Sequence, residues 1–291
     1  GYNKYKKLKF FKIDLLNSNA LNNLFNKFKF DGCIHFAGLK AVGESVDHPL
    51  LYYNNNITGT LNLLKNILKY KCNKFIFSSS ATVYGSSPSP LTEQSQVGIG
   101  ITNPYGKTKY MIEQILTDIQ NSNKNMSVVL LRYFNPVGAH SSGLIGEDPV
   151  GIPNNLMPYV LQVAVGKRDK LTVFGNDYDT PDGTGVRDYI HVEDLANGHL
   201  AALTKINKKG IFIYNLGTGK GYSVLDLVNE MKKASGKEIP YKIGKRRAGD
   251  LATIVCNPAK ANKELKWKAK KGLSDMCKDG WNWQSNNPGG Y

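Results

Sequence analysis

Short runs of β-branched and aromatic residues alternate with segments of helical periodicity through the first half of this chain. Such runs predict strands, and apolar residues recurring at intervals of three and four predict helices. The predicted strands are Leu8–Asp14, Gly32–Ala37, Lys74–Ser79 and Val128–Phe134, and the predicted helices are Ala20–Phe28, Leu50–Lys69 and Lys107–Gln120. Strand–helix–strand alternation restricts the fold to a doubly wound parallel sheet with helices on both faces. The predicted fold class is therefore α/β.

The second half of the chain differs in local composition. Glycine and proline become frequent between residues 136 and 158. Beyond them we expect a strand at Gly210–Leu216, a helix at Ser223–Ala234 and a tryptophan-containing helix around Asp275–Trp283. The chain has 291 residues, about two domains at the usual domain size. These observations predict a first domain of residues 1–136 and a smaller α/β domain of residues 137–291.

The basic residues point away from nucleic acid as a partner. The net charge is +15, but 33 of the 38 basic residues are lysines and only five are arginines. Lysine is spread along the whole chain, whereas proteins that read nucleic acid cluster arginine for bidentate contacts. No run approaches the roughly 20 apolar residues that span a bilayer. We therefore expect no nucleic-acid partner and no membrane segment.

The cysteines and histidines show no metal-site or disulfide pattern. None of the four cysteines lies in a Cys-x-x-Cys pair, and none has the spacing to histidine of a zinc site. Reduced thiols are the default reading and fit a cytoplasmic protein. We therefore predict no metal.

A tyrosine and a lysine four residues apart give the strongest chemical signal. Tyr105 and Lys109 would share one face of a predicted helix. An ammonium beside a phenol favours the phenolate and is expected to lower its pKa. Tyr105 could then act as a general base near neutral pH. Taken alone, the pair could also be two neighbouring surface residues.

A cluster of serines supplies the context for that pair. Ser78, Ser79 and Ser80 come where a buried strand is predicted to end. Ligands of open α/β sheets bind outside the carboxyl ends of the strands. A Ser80 hydroxyl there could hydrogen-bond the same substrate hydroxyl that Tyr105 deprotonates.

At these three positions the sequence resembles the extended short-chain dehydrogenases. Further motifs make it similar to one branch of them, the UDP-glucose 4-epimerase family. The motifs are residues 35–45 (HFAGLKAVGES), 132–136 (RYFNP), 146–149 (GEDP), 152–158 (IPNNLMP), 174–178 (FGNDY) and 182–192 (DGTGVRDYIHV). The resemblance covers essentially the whole chain and implies a Rossmann-like first domain that binds NAD and a second domain that binds a UDP-sugar.

The resemblance implies interconversion of UDP-galactose and UDP-glucose. Bound NAD+ would take a hydride from C4 of the sugar, which turns as a 4-keto compound and receives the hydride on its other face. Tyr105 would remove the proton from O4 of the sugar, and Ser80 would bridge the sugar hydroxyl and the phenol. Lys109 would hold the nicotinamide ribose. The resemblance also suggests a homodimer formed through the two long helices.

The other site residues are carried over from the same resemblance. Those implied to contact NAD are Asp14, Leu15, Phe36, Ala37, Gly38, Lys40, Asn55 and Phe134, together with Ser80, Tyr105 and Lys109. Those implied to contact the UDP-sugar are Asn135, Asn155, Leu156, Thr172, Val173, Phe174, Arg187, Arg247, Asp250 and Ile254, again with Ser80 and Tyr105. Arginine suits a diphosphate because its planar fork binds two oxygens at once. Taken alone, Arg187 could instead form a salt bridge with Asp188 or Asp194.

One departure from the family pattern concerns its opening segment. The family begins with a strand and a Gly-x-x-Gly-x-x-Gly loop that binds pyrophosphate, and neither is found in this sequence. The chain begins with Gly1 rather than Met, so we expect an upstream strand–helix–strand to be missing and this chain to be unstable, to bind NAD poorly or to be inactive. The glycines of residues 217–221 have a different spacing, and we do not expect them to form a phosphate loop.

A second departure concerns the substrate. Ile254 lies where the family places a residue against the 2-substituent of the sugar, and its intermediate size leaves activity on N-acetylhexosamines open. A 4,6-dehydratase is the nearest alternative, but it would need an Asp-Glu pair where this chain has Ala81 and Thr82. A binding protein without catalysis and a nucleic-acid-binding module are the remaining alternatives.

Overall fold

The structure is a computed structural model that describes residues 7–247 and 249–291. The first half contains α1 (Ser18–Lys27), β1 (Cys33–His35), α2 (Val42–Asp47), α3 (Pro49–Tyr52), α4 (Gly59–Lys69), β2 (Lys74–Ser78), α5 (Pro104–Ser122), β3 (Ser127–Tyr133) and β4 (Asn135–Val137). The second half contains α6 (Leu156–Ala164), β5 (Leu171–Phe174), β6 (Val186–His191), α7 (Val192–Ala202), β7 (Gly210–Leu216), β8 (Gly221–Ser223), α8 (Val224–Ser235), β9 (Tyr241–Gly244), β10 (Thr253–Ile254), α9 (Ala259–Glu264) and α10 (Leu273–Asn286).

The main sheet is parallel and has the strand order β1-β2-β3-β7. Side chains alternate across it, so the residues on its two faces enter two separate cores. Phe75 and Val128 pack with α4 and α5 on one face, while Ile76 and Val129 pack with α7 and α9 on the other. Helices therefore cover both faces, which confirms the predicted α/β class.

The last strand of this sheet comes from the second half of the chain. β7 pairs with β3 along its whole length, from Gly210 beside Ser127 to Leu216 beside Tyr133. The sheet therefore extends beyond residue 136, although the division into two functional domains stays a prediction.

The rest of the second half builds smaller sheets. β4, β6 and β10 are parallel neighbours, with β8 antiparallel to β6, and β5 pairs with β9. Helices α6, α8 and α10 pack together over a core that includes Val160, Val228 and Met276. Within the described ranges, no helix is long and apolar enough to cross a bilayer.

Two of the expected elements differ from the structure. Leu8–Asp14 is not a strand, because a strand needs a hydrogen-bonded neighbour and none of the described strands pairs with this segment. The predicted helix Leu50–Lys69 is interrupted by a π-helical turn, Tyr53–Thr58, between α3 and α4. Such turns occur mostly near functional sites.

Candidate active site

Tyr105 and Lys109 lie in the first turns of α5. Asn103 caps this helix by accepting a hydrogen bond from the Gly106 amide at 2.8 Å, and Pro104 fills the first helical position, where a missing N–H costs nothing. Both side chains are buried, at 7% and 5% exposure. The Lys109 ammonium donates to the Ser78 carbonyl at 2.8 Å and lies 5.9 Å from the centre of the Tyr105 ring.

Ser80 lies at the carboxyl end of β2 and faces the same helix. Its hydroxyl oxygen accepts hydrogen bonds from the amide and hydroxyl of Thr82, at 3.2 and 3.0 Å, and so begins the short 3-10 turn Ala81–Tyr84. A hydrogen bond between Ser80 and Tyr105 favours the phenolate. The structure thus brings together the serine, tyrosine and lysine that the sequence singled out.

The ionisation of Tyr105 differs from the expectation. Burial raises the pKa of its phenol above the ordinary value, the neighbouring Tyr133 acts in the same direction, and the Ser80 hydrogen bond only partly opposes them. The predicted lowering by Lys109 is therefore wrong for the protein alone, because desolvation of the phenolate outweighs an ammonium at this distance. Burial also lowers the pKa of Lys109, to about 8, while Glu113 opposes that shift.

The residues implied to contact NAD surround the carboxyl end of β1. Phe36 is 60% exposed and its ring lies 4.6 Å from that of His199. Ala37, Gly38 and Lys40 follow it and are also exposed. They form an open loop of small, aromatic and cationic groups, which suits a dinucleotide.

A residue that the sequence reasoning missed holds this loop in place. The Asn56 side chain accepts from the Leu39 amide at 2.8 Å and donates to the Leu39 carbonyl at 3.1 Å. It also donates to Thr108 on α5. A Cβ added to Gly38 would lie 3.3 Å from the Asn56 oxygen, so the loop passes close to this amide. Asn55, the predicted contact, itself donates to Asn56 at 3.0 Å.

The remaining predicted cofactor residues lie at the edges of this region. The Asp14 carboxylate accepts from the Leu16 amide at 2.9 Å, and Leu15 packs beside Gly59 at the start of α4. Phe134 is buried. Lys40 pairs with Glu147 at 2.9 Å and so links the β1 loop to the second half of the chain.

Four predicted substrate residues form a cluster in the second half. The Arg247 guanidinium lies 5.0 Å from the centre of the Phe174 ring and donates to Asp250 at 2.9 Å. Both lie close enough to act on the Arg187 guanidinium: the charge of Asp250 raises its pKa and that of Arg247 lowers it. An aromatic ring beside three charged groups is suited to a base and a diphosphate.

Arg187 itself makes no salt bridge with Asp188 or Asp194. It donates to the Val186 carbonyl at 2.8 Å and, at 3.4 Å, to the Ala252 carbonyl. Asp188 accepts instead from Thr218, Gly219 and Cys256, and Asp194 from the amides of Lys270 and Lys271. The alternative reading of Arg187 is therefore wrong, because both carboxylates are engaged elsewhere.

The loop of residues 217–221 has a structural role. Its Thr218 and Gly219 amides, which a phosphate would need, both donate to the Asp188 carboxylate at 2.9 Å. A Cβ on Gly217 would lie 2.5 Å from the Cys256 sulfur. Glycine is thus required here by close packing around a carboxylate of the protein itself.

The arginine cluster lies beside α5, which carries Tyr105 and Lys109. A Cβ on Gly249 would lie 2.9 Å from Thr102, immediately before α5. Ile254 and Ala81, the residue after Ser80, both pack against the buried cluster that includes Val83, and Ile254 lies opposite Arg187 in the pairing of β10 with β6. The two sets of predicted residues therefore meet at one site.

The other predicted substrate residues contribute unequally. Asn135 and Asn155 are exposed and Leu156 is half-buried at the start of α6. Thr172 is half-buried, but the Val173 side chain lies in the core between α6 and α8. Only the backbone of Val173 could therefore touch a ligand.

A cluster that could hold a metal was not found from the sequence. One ligand atom each from His191, Glu193 and Asp279 lies within 4.8 Å of the others. The Lys271 ammonium already pairs with Glu193 at 2.5 Å and with Asp279 at 2.6 Å. The Lys271 ammonium thus supplies positive charge to these carboxylates, as a metal ion would. The absence of a metal stays a prediction.

The fold and the site together define an enzyme of the extended short-chain dehydrogenase class. A family model described as GDP-mannose 4,6 dehydratase matches residues 2–280. The chain is 58% identical over 290 residues to the UDP-glucose 4-epimerase of Caenorhabditis elegans, covering 98% of this chain and 83% of the relative. It is 59% identical over 288 residues to that of Bacillus subtilis, covering 98% and 84%.

A solved structure gives the same result. The UDP-glucose 4-epimerase of Bifidobacterium longum, crystallised in complex with NAD+ and UDP, superposes with a TM-score of 0.95 at 54% identity, covering 98% of this chain and 85% of that one. This chain therefore belongs to the UDP-glucose 4-epimerase family.

Proposed function

We propose that this protein interconverts UDP-galactose and UDP-glucose with NAD as cofactor. The observation that carries the proposal is the buried Tyr105–Lys109 pair beside Ser80, with the Phe174 and Arg247 cluster next to it. The related epimerase crystallised with NAD+ and UDP supports the ligands. A base, a dinucleotide loop and a nucleotide clamp at one site match the needs of this reaction.

The residues present fit NAD at the carboxyl ends of β1 and β2. The exposed loop from Phe36 to Lys40, held by Asn56, would contact the dinucleotide, and Lys109 would contact its nicotinamide ribose. When bound, NAD+ accepts a hydride from C4 of the sugar and returns it. We propose residues 1–136 as the NAD-binding domain and residues 137–291 as the UDP-sugar domain, with β7 completing the first sheet.

Tyr105 is the proposed general base and acid at O4 of the sugar. Ser80 would hydrogen-bond the same oxygen and hold it toward the phenol, and the Lys109 ammonium would stabilise the phenolate. Arg187 and Arg247 would bind the diphosphate, with Phe174 against the uracil. Ile254, which packs against the same buried cluster as Ala81, would contact the sugar.

We also propose a homodimer in the cytoplasm. Large apolar side chains are exposed on the helices from α2 to α5, and they are Val42, Val46, Leu50, Leu51, Leu61, Leu68 and Met111. Leu50 is 81% exposed, and a patch of this kind marks an interface. Four free thiols suit a reducing compartment. Sedimentation velocity of the protein and of Leu50→Glu tests the dimer: two monomeric samples would contradict it.

Conversion of UDP-galactose to UDP-glucose, with NAD+ added, tests the proposed activity. We expect conversion by the protein extended with the family's Gly-x-x-Gly-x-x-Gly strand–helix–strand, and almost none by Tyr105→Phe in the same background, with UDP binding measured in both by calorimetry. A protein that binds NAD and UDP without converting the sugar would contradict the proposal.

A further inference from the structure

A buried carboxylate lies one helical turn beyond Lys109 and has no part in the mechanism so far. Glu113 is 2% exposed and accepts from three donors. The Ser79 hydroxyl donates to Oε1 at 2.6 Å. Nε and Nη2 of Arg132, on β3, donate to Oε1 at 3.0 Å and Oε2 at 2.6 Å. The bidentate ion pair thus also holds the residue that precedes the catalytic Ser80.

The network extends across the main sheet. The Arg132 guanidinium lies 5.0 Å from the centre of the Tyr84 ring and donates to its hydroxyl at 3.3 Å. The Tyr84 hydroxyl donates to Asn215 on β7 at 2.6 Å. Glu113 is therefore fixed relative to β2, β3 and β7, and with it the face of α5 that carries Tyr105 and Lys109.

The buried charges around the base do not cancel. Lys109 and Arg132 are cations and Glu113 is an anion, which leaves one net positive charge. Lys109 bonds to the Ser78 carbonyl, while Arg132 holds both oxygens of Glu113. The surplus charge is thus at Lys109, on the side of the phenol.

Five other titratable groups that face this region are uncharged near neutral pH. They are His35 from β1, Tyr52 from α3, Tyr133 from β3, Tyr84 beside Arg132, and His199 from α7, whose Nε2 lies 3.0 Å from the Ser78 hydroxyl. Two charged groups also act here, Lys40 on Tyr133 and Glu93 on Tyr84, and both stay the same in every variant. Burial, assisted by the charge of Lys109, lowers the pKa of His35 to about 4. Burial raises the pKa of each of the three tyrosines.

We propose that Glu113 and Arg132 are positioning residues of the reaction, which hold the serine turn through Ser79 and set the positive potential at Tyr105 and Lys109. This proposal rests on the proposed function only in naming Tyr105 as the base. Neither residue touches the reacting atoms. Their effect passes through Ser79, through α5 and through charge.

Removing either half of the pair tests the charge, because the two changes act in opposite directions. Glu113→Gln leaves two positive charges, so the phenol should titrate at lower pH. Arg132→Met leaves the Glu113 carboxylate unpaired, so the Tyr105 phenol should titrate at higher pH. A nearby buried charge shifts a pKa by about one unit. A simple loss of structure would not reverse its sign between the two variants.

The titration is measured without turnover. Tyr105 is replaced by a ring-fluorinated tyrosine, whose lower intrinsic pKa brings the midpoint into a workable range, and its fluorine resonance is followed against pH. Midpoints that are unchanged, or that move the same way in both variants, would overturn the charge part of the proposal. This readout stands even if no epimerisation is found, so failure of the proposed function is seen separately.

Two further variants keep the test decisive if the single variants fold poorly. The double variant Glu113→Gln with Arg132→Met restores the wild-type charge balance, so its midpoint should return to that of wild type; a midpoint that stays displaced would overturn the proposal. Asp118→Asn, an exposed change on the same helix, is the matched control and should shift nothing.

Ser79→Ala tests the positional part. It keeps both charges and removes only the bond to the serine turn. We expect about tenfold lower kcat with KM and the fluorine midpoint unchanged. A wild-type kcat would overturn the role of Ser79.

Discussion

Asp188→Asn should destabilise the protein strongly, because this carboxylate joins three segments of the second half. Asp188 is fully buried on β6. One oxygen accepts from the amide and hydroxyl of Thr218, at 2.9 and 2.7 Å. The other accepts from the Gly219 amide at 2.9 Å and from the amide and thiol of Cys256, at 3.3 and 3.2 Å.

The magnitude follows from counting donors. An asparagine amide offers one oxygen, and its NH2 group must face either Thr218 or the pair Gly219 and Cys256. At least one N–H, half-buried at Thr218 or buried at Cys256, is then left without an acceptor, at a cost of about 1–3 kcal/mol, and the remaining bonds lose their charge assistance. We expect the free energy of unfolding to fall by about 2–4 kcal/mol.

Urea denaturation followed by tryptophan fluorescence measures this loss. Thr218→Val removes one hydroxyl, which donates to Asp188 and accepts from the exposed Lys220 amide, and should cost about 1 kcal/mol. Asp118→Asn, on the surface, should stay within about 0.5 kcal/mol of wild type. If Asp188→Asn lies within about 1 kcal/mol of wild type at an unchanged denaturant slope, the view of Asp188 as the centre of this region is refuted.

Three further predictions concern the reaction. Tyr105→Phe should lower turnover by about 100-fold or more, since it removes the proton acceptor, while calorimetry shows UDP affinity unchanged; near-normal turnover would exclude Tyr105 as the base. The pKa of Lys109 is lowered to about 8, so kcat/KM should decline above that pH as the ammonium is lost, and a flat profile to about pH 10, near the ordinary lysine pKa, would show that its charge is not needed. Arg187→Lys should weaken UDP binding about tenfold, because an ammonium cannot form the bidentate fork, and equal affinity in calorimetry would contradict that contact.

The proximity of Tyr105 and Lys109 could be predicted from the sequence because the pair is local. Tyr105 and Lys109 share one face of a helix because they are four residues apart. Ser80 follows a strand that is recognisable in the sequence from its continuous apolar run. Strand positions such as Lys74–Ser78 were predictable for the same reason. Leu8–Asp14 has an equally good strand pattern but no described strand beside it, so local pattern alone was misleading there.

The supporting groups could not be predicted because their partners are distant in the chain. The spacing of the glycines at residues 217–221 already argued against a phosphate loop, but only the fold shows that Asp188 takes the amides. Glu113 lies on a predicted helix, but its bonds to Ser79 and Arg132 depend on how α5 crosses the sheet. The ionisation of Tyr105 likewise depends on its burial, which spacing does not reveal.

The five arginines connect composition with function. In a chain whose other 33 basic residues are lysines, four arginines donate from Nε to a side-chain oxygen while stacking over an aromatic ring, a combination that lysine cannot form. These are Arg132 with Glu113 and Tyr84, Arg168 with Gln162 and Tyr159, Arg246 with Asp177 and Tyr178, and Arg247 with Asp250 and Phe174. Arg187 differs, since its hydrogen bonds go to two backbone carbonyls. A half-buried guanidinium bonded only to neutral groups is suited to an anionic ligand, which supports the proposed contact of Arg187 with a diphosphate.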